Sequence, residues 1–383
     1  MAFRDRYRSE LTALPAQEED FYRIEKTEIR GYNDPLGLGY AGIGHFSSTA
    51  SVRQSRFLKK LGLDCYATWC TYSGGSIFSD SLLGIRYLLT AQTPNTAYRQ
   101  ISESTWENPF AFPVAFFADR AVLALDPEVS NHPVQFQEAL LNAIDPSDAD
   151  SDYFHAVPVI GVGMENLSEI EDESDDPAYR RIDADSPGVA EYELVITSDA
   201  QHVLFIPNVS LNYDIWVDDA QVFEKNRNYT PYLVNLGNYQ AGEKVRLRVE
   251  ITKEGLYFEN LQVYVLDMER FAGLAAGLRD LAPGIVWNGR TAFAFSVESV
   301  PENKILLTSI PYDRGWQAKV DGTEVPVLAA MDTLVGIELP AEARLVELEF
   351  VPSGWRTGIM ISGVSLLLII FYVLFIFRFA KNK

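Results

Sequence analysis

The chain has 383 residues, of which 47% are hydrophobic, and a formal net charge of −21 at pH 7. This length and composition allow a substantial buried core and predict two or three domains. The negative charge argues against nucleic acid, and against an anionic lipid surface as a direct partner of the soluble part. Cys65 and Cys70 are too few for a disulfide scaffold; their spacing allows a small loop bridge, but we expect two buried thiols. The four histidines are scattered, so we expect no metal site and no cofactor.

Residues 1–144 combine helix and strand patterns and predict a mixed α+β domain. Apolar and polar residues alternate from Asp20 to Lys26, as in a half-buried strand. Residues 51–61 have helical spacing that ends at a glycine. The segment Pro133–Ile144 is amphipathic, begins with proline and has Asn131 available as a cap, so it predicts a helix.

Residues 37–42 read Gly-Leu-Gly-Tyr-Ala-Gly and match the GxGxxG pattern of dinucleotide-binding proteins. Such a site needs a buried strand before the glycines and a helix that begins within them. Residues 32–36 precede the glycines here and have the composition of a turn. We therefore expect a glycine-rich loop within the longer loop 30–49.

Residues 145–188 form a break in composition. The runs 145–150 and 169–176 are acidic and poor in apolar residues. Because runs of like charge are usually solvated, we predict an acidic linker region. Calcium binding stays open as an alternative, although the spacing fits no twelve-residue calcium loop.

From residue 189 onward, short alternating runs separated by turn residues predict β-sandwich or jelly-roll modules. We expect one module at 189–290, with a helical insertion at 267–281, and a second related module at 291–356. The relation rests on an internal repeat, in which Phe205-Ile206-Pro207 precedes Tyr213–Val222 and Ser309-Ile310-Pro311 precedes Trp316–Val325. In both copies Val-Asp-Asp or Val-Asp-Gly marks a hairpin turn.

The uncharged run Gly358–Phe377 is about 20 residues long, enough for a helix to cross a hydrocarbon core of about 30 Å. It has no polar face, unlike the core helix of a soluble domain. We predict a transmembrane helix at 357–378, with the lipid bilayer as its partner. Small residues in the first half of this run suit packing against other transmembrane helices.

The charges on the two flanks predict an orientation. Arg378, Lys381 and Lys383 follow the helix without an acidic residue. Positive charge beside a span marks the cytoplasmic side, so we expect a cytoplasmic basic tail at 379–383 and residues 1–356 outside the cell. Residues 1–10 have no apolar core of an export signal. An outside location therefore requires earlier spans of a longer protein; the alternative is a tail-anchored cytosolic protein, and the basic tail favours the former.

The most distinctive short stretch is Ile310–Trp316. Tyr312 and Trp316, beside Asp313 and Arg314, could stack on a sugar ring and bond its hydroxyls, which gives a candidate glycan contact. The other interpretation, which we favour, is a tight turn whose tryptophan packs on the sheet. Acidic pairs elsewhere lie at predicted hairpin tips, so no catalytic residue is predicted.

Several stretches, taken together and in chain order, resemble the C-terminal part of the bacterial YfhO-like membrane proteins, a family related to GT-C glycosyltransferases. They are Phe21–Lys26, Tyr32–Pro35, His45–Thr49, Leu82–Tyr87, Glu107–Pro113 and Ile310–Trp316.

The resemblance implies a large extracytoplasmic domain and a last span in the plasma membrane with a cytoplasmic end. It also implies transfer of a sugar from a lipid-phosphate donor to a cell-envelope polymer such as teichoic acid. In GT-C enzymes the catalytic acid lies among early spans that have no counterpart in this sequence, so no catalytic residue is carried over and enzymatic activity is left open. We expect an accessory domain with its anchor; the alternative is a non-enzymatic, membrane-anchored glycan-binding or assembly protein.

Overall fold

The computed structural model describes residues 3–15, 21–92, 94, 97–148, 151–170, 177–199, 201–205, 213–224, 233–252, 257–258, 261–289 and 291–380. The first elements are α1 (Phe3–Thr12), β1 (Arg23–Lys26), α2 (Asp34–Leu38), β2 (His45–Phe46), α3 (Val52–Lys60), β3 (Leu63–Tyr66), β4 (Trp69–Gly74), α4 (Ile77–Leu82), β5 (Ile85–Leu89), β6 (Arg99–Gln100), β7 (Thr105–Glu107), β8 (Ala115–Asp119) and α5 (Pro133–Ile144). Short 3-10 helices cover Arg120–Leu123 and Pro146–Asp148.

The next twelve strands and a helix are β9 (Phe154–Val157), β10 (Val159–Glu165), β11 (Leu167–Ile170), β12 (Ala178–Arg181), β13 (Gly188–Val195), β14 (Gln201–Phe205), β15 (Tyr213–Val217), β16 (Ala220–Glu224), β17 (Leu233–Asn238), β18 (Lys244–Ile251), β19 (Tyr257–Phe258), β20 (Gln262–Leu266) and α6 (Met268–Asp280). The last are β21 (Gly284–Asn288), β22 (Ala292–Ser296), β23 (Lys304–Pro311), β24 (Trp316–Val320), β25 (Thr323–Val325), β26 (Leu328–Ala330), β27 (Leu334–Ile337), β28 (Leu345–Phe350) and α7 (Trp355–Ala380). The predicted α+β class with a C-terminal membrane helix is confirmed.

The N-terminal part contains two small sheets, with strand orders β1-β5-β7-β6 and β2-β4-β3. Strand β1 runs parallel to β5. Helix α3 lies in the predicted range, and the Ser51 hydroxyl accepts a hydrogen bond from the Gln54 N–H (3.4 Å) at its start. Helix α5 occupies the range predicted for it, but its cap is His132 in place of Asn131, because the His132 ring accepts from the Gln135 N–H.

Cys65 and Cys70 form a disulfide, so the expectation of two buried thiols is wrong. The two residues are directly opposite each other on the antiparallel strands β3 and β4, with 4.2 Å between their Cα atoms. Both side chains are buried. Their spacing in sequence does not reveal this register, because it depends on where the hairpin turns.

Each β module is a sandwich of two sheets around one core. The first has strand orders β10-β13-β18-β15-β16 and β17-β14-β20-β9, and the second has β21-β22-β28-β24-β25 and β26-β27-β23-β8. In the larger sheets, β13-β18-β15-β16 and β22-β28-β24-β25 occupy equivalent positions. The internal repeat in the sequence is therefore a repeat of topology, although residues 206–212 of its first copy lie outside the described part of the chain.

The repeated hairpin turns share one backbone conformation. Asp218 has φ 51° and Asp321 has φ 49°, in the left-handed region that favours Asp over most other side chains. The carboxylate of Asp218 accepts from the Arg246 N–H (3.1 Å), and that of Asp321 accepts from the Leu345 N–H (2.9 Å). The first turn is thus bonded to β18 and the second to β28, each within its own module.

The segment 145–188 differs from the predicted linker, because it contains strands β9 to β12. Strand β9 pairs with β20, and β10 pairs with β13 at the edge of the first module. Phe154 and Val157 are buried there. The acidic runs 145–150 and 169–176 dominate the composition of the segment, whereas β9 and β10 between them carry Glu165 as their single acidic residue. Residues 171–176 of the acidic run are outside the described residues.

Helix α7 is continuous from Trp355 to Ala380. Within it, Thr357–Arg378 is long and apolar enough to cross a membrane, with mean hydropathy 2.8 and no buried residue in its apolar window. These exposed apolar side chains would be unfavourable in water, and the length and composition of the helix suit a bilayer. Residues 381–383 of the predicted basic tail are outside the described part.

Candidate functional site

A polar cavity of about 250 Å³ lies next to the start of α7, and we call it the juxtamembrane cavity. It is lined by Ser51, Arg53, Gln54, Tyr312, Asp313, Arg314, Asp332, Thr333 and Ser353. Four separate segments supply these residues: the start of α3, the β23–β24 turn, the β26–β27 turn and the connection from β28 to α7. Ser353 comes two residues before the first residue of α7, so the cavity is close to the expected membrane surface.

The sequence-based glycan candidates divide into two groups in this geometry. Tyr312, Asp313 and Arg314 line the juxtamembrane cavity, whereas Trp316 does not. The indole N–H of Trp316 donates to the Pro311 carbonyl (3.0 Å), and its ring packs 5.2 Å from that of Phe350. Trp316 therefore stabilises its own module, as in the turn interpretation.

The turn that carries these residues is held by local hydrogen bonds. The Asp313 carboxylate accepts from the Gly315 N–H (2.7 Å), and the Tyr312 N–H donates to the Thr333 carbonyl (2.6 Å). A Cβ at Gly315 would lie 2.6 Å from the Val351 carbonyl oxygen, so only glycine fits there. Asp313 and Arg314 remain exposed to solvent beside the cavity.

A second cavity, of about 310 Å³, shares Gln54 and Thr333 with the first, and we call it the inner pocket. Its polar lining includes Arg23, His45, Ser47 and Ser309. The Arg23 guanidinium donates to the hydroxyl and to the carbonyl of Ser309 (2.9 Å each) and to the Leu83 carbonyl. These bonds connect β1 of the N-terminal part to β23 of the second module.

A buried carboxylate supports the loop that forms one wall of the inner pocket. Glu25 accepts hydrogen bonds from the backbone N–H groups of Ile43 and Gly44. Burial raises the pKa of Glu25 to about 7, although these hydrogen bonds act in the opposite direction. A Cβ at Gly42 would meet the Glu25 carboxylate at 2.8 Å, which explains the last glycine of the GxGxxG match.

The rest of the GxGxxG match belongs to a helix end. Helix α2 ends at Gly39, which has φ 83° and caps the C-terminus of the helix. A dinucleotide site needs the N-terminus of a helix at that place. Among the described residues, no group of three or more His, Cys, Asp or Glu side chains is placed to hold a metal ion.

Sequence reasoning missed Arg53, Gln54, Asp332 and Ser353. Arg53 and Gln54 lie in an amphipathic helix, where polar residues on the outer face are expected whether or not they bind a ligand. Three stretches that carry the family resemblance, Phe21–Lys26, His45–Thr49 and Ile310–Trp316, contribute residues to these two adjoining cavities. These stretches contain none of the four missed residues, so the sequence offered no signal for them, because they reach the cavity only through tertiary contacts.

The chain combines a β-rich folded part with a helix suited to a bilayer, and a polar cavity lies beside the start of that helix. These features are those of a membrane-associated protein. Residues 4–362 match the family described as "Bacterial membrane protein YfhO", and the chain belongs to that family.

Two kinds of similarity to individual proteins accompany the family match. The "Uncharacterized protein YfhO" of Bacillus subtilis (strain 168) is 28% identical over 88 residues, which are 23% of this chain and 10% of the relative. The match thus spans about a tenth of the length of that curated relative.

Among solved structures, a GH2 beta-galacturonidase from Eisenbergiella tayi bound to galacturonate has 13% identity and a TM-score of 0.19, over 54% of this chain and 39% of that one. The GH31 alpha-xylosidase from Xanthomonas citri has 9% identity and a TM-score of 0.17, over 53% and 17%. These likenesses are too weak to carry an argument.

Proposed function

We propose that residues 1–356 form the extracytoplasmic domain of a YfhO-type protein that takes part in glycosylating a cell-envelope polymer, and that α7 is a span of the same system. In this proposal the juxtamembrane cavity receives the head group of a lipid-linked sugar. The described residues bind and position this ligand, and no catalytic role is assigned to them.

The position of the juxtamembrane cavity beside α7 is the observation that carries the proposal. The head group of a lipid-linked ligand stays at the membrane surface while its tail is in the bilayer. Arg53 and Arg314 offer guanidinium groups to a phosphate, and Asp313, Asp332 and Thr333 offer hydrogen-bond partners to sugar hydroxyls.

Two observations support the outward orientation. Disulfides form and persist in oxidising surroundings such as the cell exterior, and Cys65 and Cys70 are bridged. The cation Arg378 lies in the last turn of α7, the end that the positive-inside rule assigns to the cytoplasm.

The test is binding of a polyprenyl-phosphate sugar to the full chain in lipid nanodiscs. Arg53→Gln should weaken binding by about tenfold or more, since one charge-assisted hydrogen bond contributes about 1.5–3 kcal/mol. Arg56→Gln is the matched control, because Arg56 is exposed on the same helix but does not line the cavity. Equal affinities for Arg53→Gln and the unaltered chain would contradict the site. Equal affinity for a water-soluble glycan would favour the glycan-binding alternative.

A further inference from the structure

A larger concavity, of about 620 Å³, is formed by the N-terminal part together with α6 and is separate from the juxtamembrane cavity and the inner pocket. Three arginines, Arg86, Arg99 and Arg279, line it together with Glu107 and Tyr22. We call it the arginine cleft. It shares none of its lining residues with the juxtamembrane cavity or the inner pocket.

The sheet β1-β5-β7-β6 places two of the arginines around one carboxylate. Arg86 is on β5, Glu107 on β7 and Arg99 on β6, and Arg99 is the direct cross-strand partner of Glu107. The Arg86 Nε lies 3.3 Å from one Glu107 oxygen, and the Arg99 guanidinium contacts the other. The third arginine comes from the last turn of α6, where Arg279 donates to the Pro109 carbonyl.

The net charge of the cleft lining is positive, whereas the net charge of the whole chain is negative. Three guanidinium groups against one carboxylate give the described lining residues a formal charge of +2, in a protein of net charge −21. The Glu107 side chain is only 8% exposed, whereas that of Arg99 is 71% exposed. The carboxylate thus lies beneath the guanidinium groups, which leaves Arg99 accessible to an anion from solvent.

We propose that the arginine cleft binds a phosphodiester-bearing polymer, such as a chain of polyol or sugar phosphates. Arginine forks match the oxygen pairs of phosphate, and the cleft has room for a phosphate together with its substituents on both sides. The buried ring of Tyr22, with the Arg86 guanidinium 5.8 Å from its centroid, gives the cleft a rigid floor. The choice of a polymer rests on the proposed function, in which this ligand is the acceptor.

The experiment measures binding of a soluble polyol-phosphate oligomer to the full chain in uncharged-lipid nanodiscs. Arg99→Gln and Arg279→Gln should each weaken binding about tenfold, equivalent to ~1.4 kcal/mol, and the binding should decline with added salt. Arg120→Gln is the matched control, because Arg120 is an exposed arginine paired with Glu338 away from the cleft. Unchanged affinity in both cleft variants, or equal weakening by Arg120→Gln, would overturn the proposal.

A variant that is expected to strengthen binding distinguishes an effect on the ligand from a loss of folding. Glu107→Gln removes the competing carboxylate and raises the formal charge of the described lining residues, so it should strengthen binding of the oligomer. Unaltered or reduced affinity, with unaltered thermal unfolding, would count against the cleft.

Further measurements identify which phosphate-bearing ligand the cleft prefers and test whether the cleft acts independently of the juxtamembrane cavity. Inorganic phosphate should compete only weakly with the oligomer. Tighter binding to phosphatidylglycerol vesicles than to the oligomer would assign the cleft to a lipid head group and overturn the polymer proposal. The cleft variants should leave binding of the polyprenyl-phosphate sugar unchanged, so either proposal can fail while the other stands.

Discussion

Asp80 is a carboxylate buried between two tyrosines. It is 6% exposed, and its Oδ2 atom accepts hydrogen bonds from the hydroxyls of Tyr72 (2.8 Å) and Tyr98 (2.7 Å). Burial nevertheless raises the pKa of Asp80 to about 7, because the loss of hydration outweighs the two hydrogen bonds. Glu25 has a pKa raised to a similar value for the same reason.

We expect the stability of the folded part to fall as the pH rises from about 4 to 7. In this range the folded state retains protons on Asp80 and Glu25, whereas the unfolded chain, with carboxyl pKa values near 4, releases them. Asp80→Asn should reduce the pH dependence by on the order of 4 kcal/mol, because the rise in the pKa of Asp80 to about 7 is lost. The amide oxygen keeps an acceptor for both tyrosines. The measurement is the free energy of unfolding against pH; a curve unchanged by Asp80→Asn would contradict the argument.

At the level of an element, the repeated turns at Asp218 and Asp321 depend on a single carboxylate at positive φ. Asp321→Ala loses the carboxylate bonds to the Arg344 and Leu345 N–H groups and places alanine at positive φ. It should destabilise the second module by about 1–3 kcal/mol. Asp321→Asn is the control, because asparagine tolerates this φ and keeps one acceptor oxygen. Denaturant unfolding of the full chain tests this, and equal losses from both variants would rule out the left-handed turn as the cause.

Elements defined by local periodicity could be predicted from the sequence, and elements defined by distant partners could not. Helix α5 and the span have the bounds that their patterns indicated. Strand β8, by contrast, pairs with β23, whose residue Lys304 is opposite Asp119. Nothing in either strand identifies a partner so distant in the chain. The error at Cys65 and Cys70 has a local origin, because the two residues face each other only through the register of the β3–β4 hairpin.

Some residues of the candidate site could also be predicted from the sequence, whereas others join the site only through the fold. Tyr312, Asp313 and Arg314 were singled out by composition, because they form an unusual cluster within seven residues. Trp316 belongs to the same cluster, but strand alternation turns it toward Phe350 and out of the cavity. Arg53 and Asp332 reach the cavity only through tertiary contacts. The three arginines of the cleft come from two strands and a helix, so no spacing rule connects them.

At the level of the whole molecule, the orientation across the membrane is the main prediction. The disulfide occupies both native cysteines, so a cysteine introduced elsewhere is a single reactive thiol. Glu324→Cys lies on an exposed strand of the second module and should react with a membrane-impermeant maleimide in intact cells. Lys383→Cys is the control and should react only after permeabilisation. The reverse pattern would place the folded part in the cytosol.

The edge strands β9 and β8 determine which fragments of the chain could fold on their own. Strand β9 is the edge strand of one sheet in the first module and β8 of one in the second, although both lie before the ranges 189–290 and 291–356 predicted from the sequence. A fragment cut at residues 189 and 290, or at 291 and 356, would leave β20 or β23 with unpaired backbone groups along an apolar edge. Such edges promote aggregation. The two halves of the repeat are therefore similar in topology, but neither keeps its edge strand when it is excised at these residues.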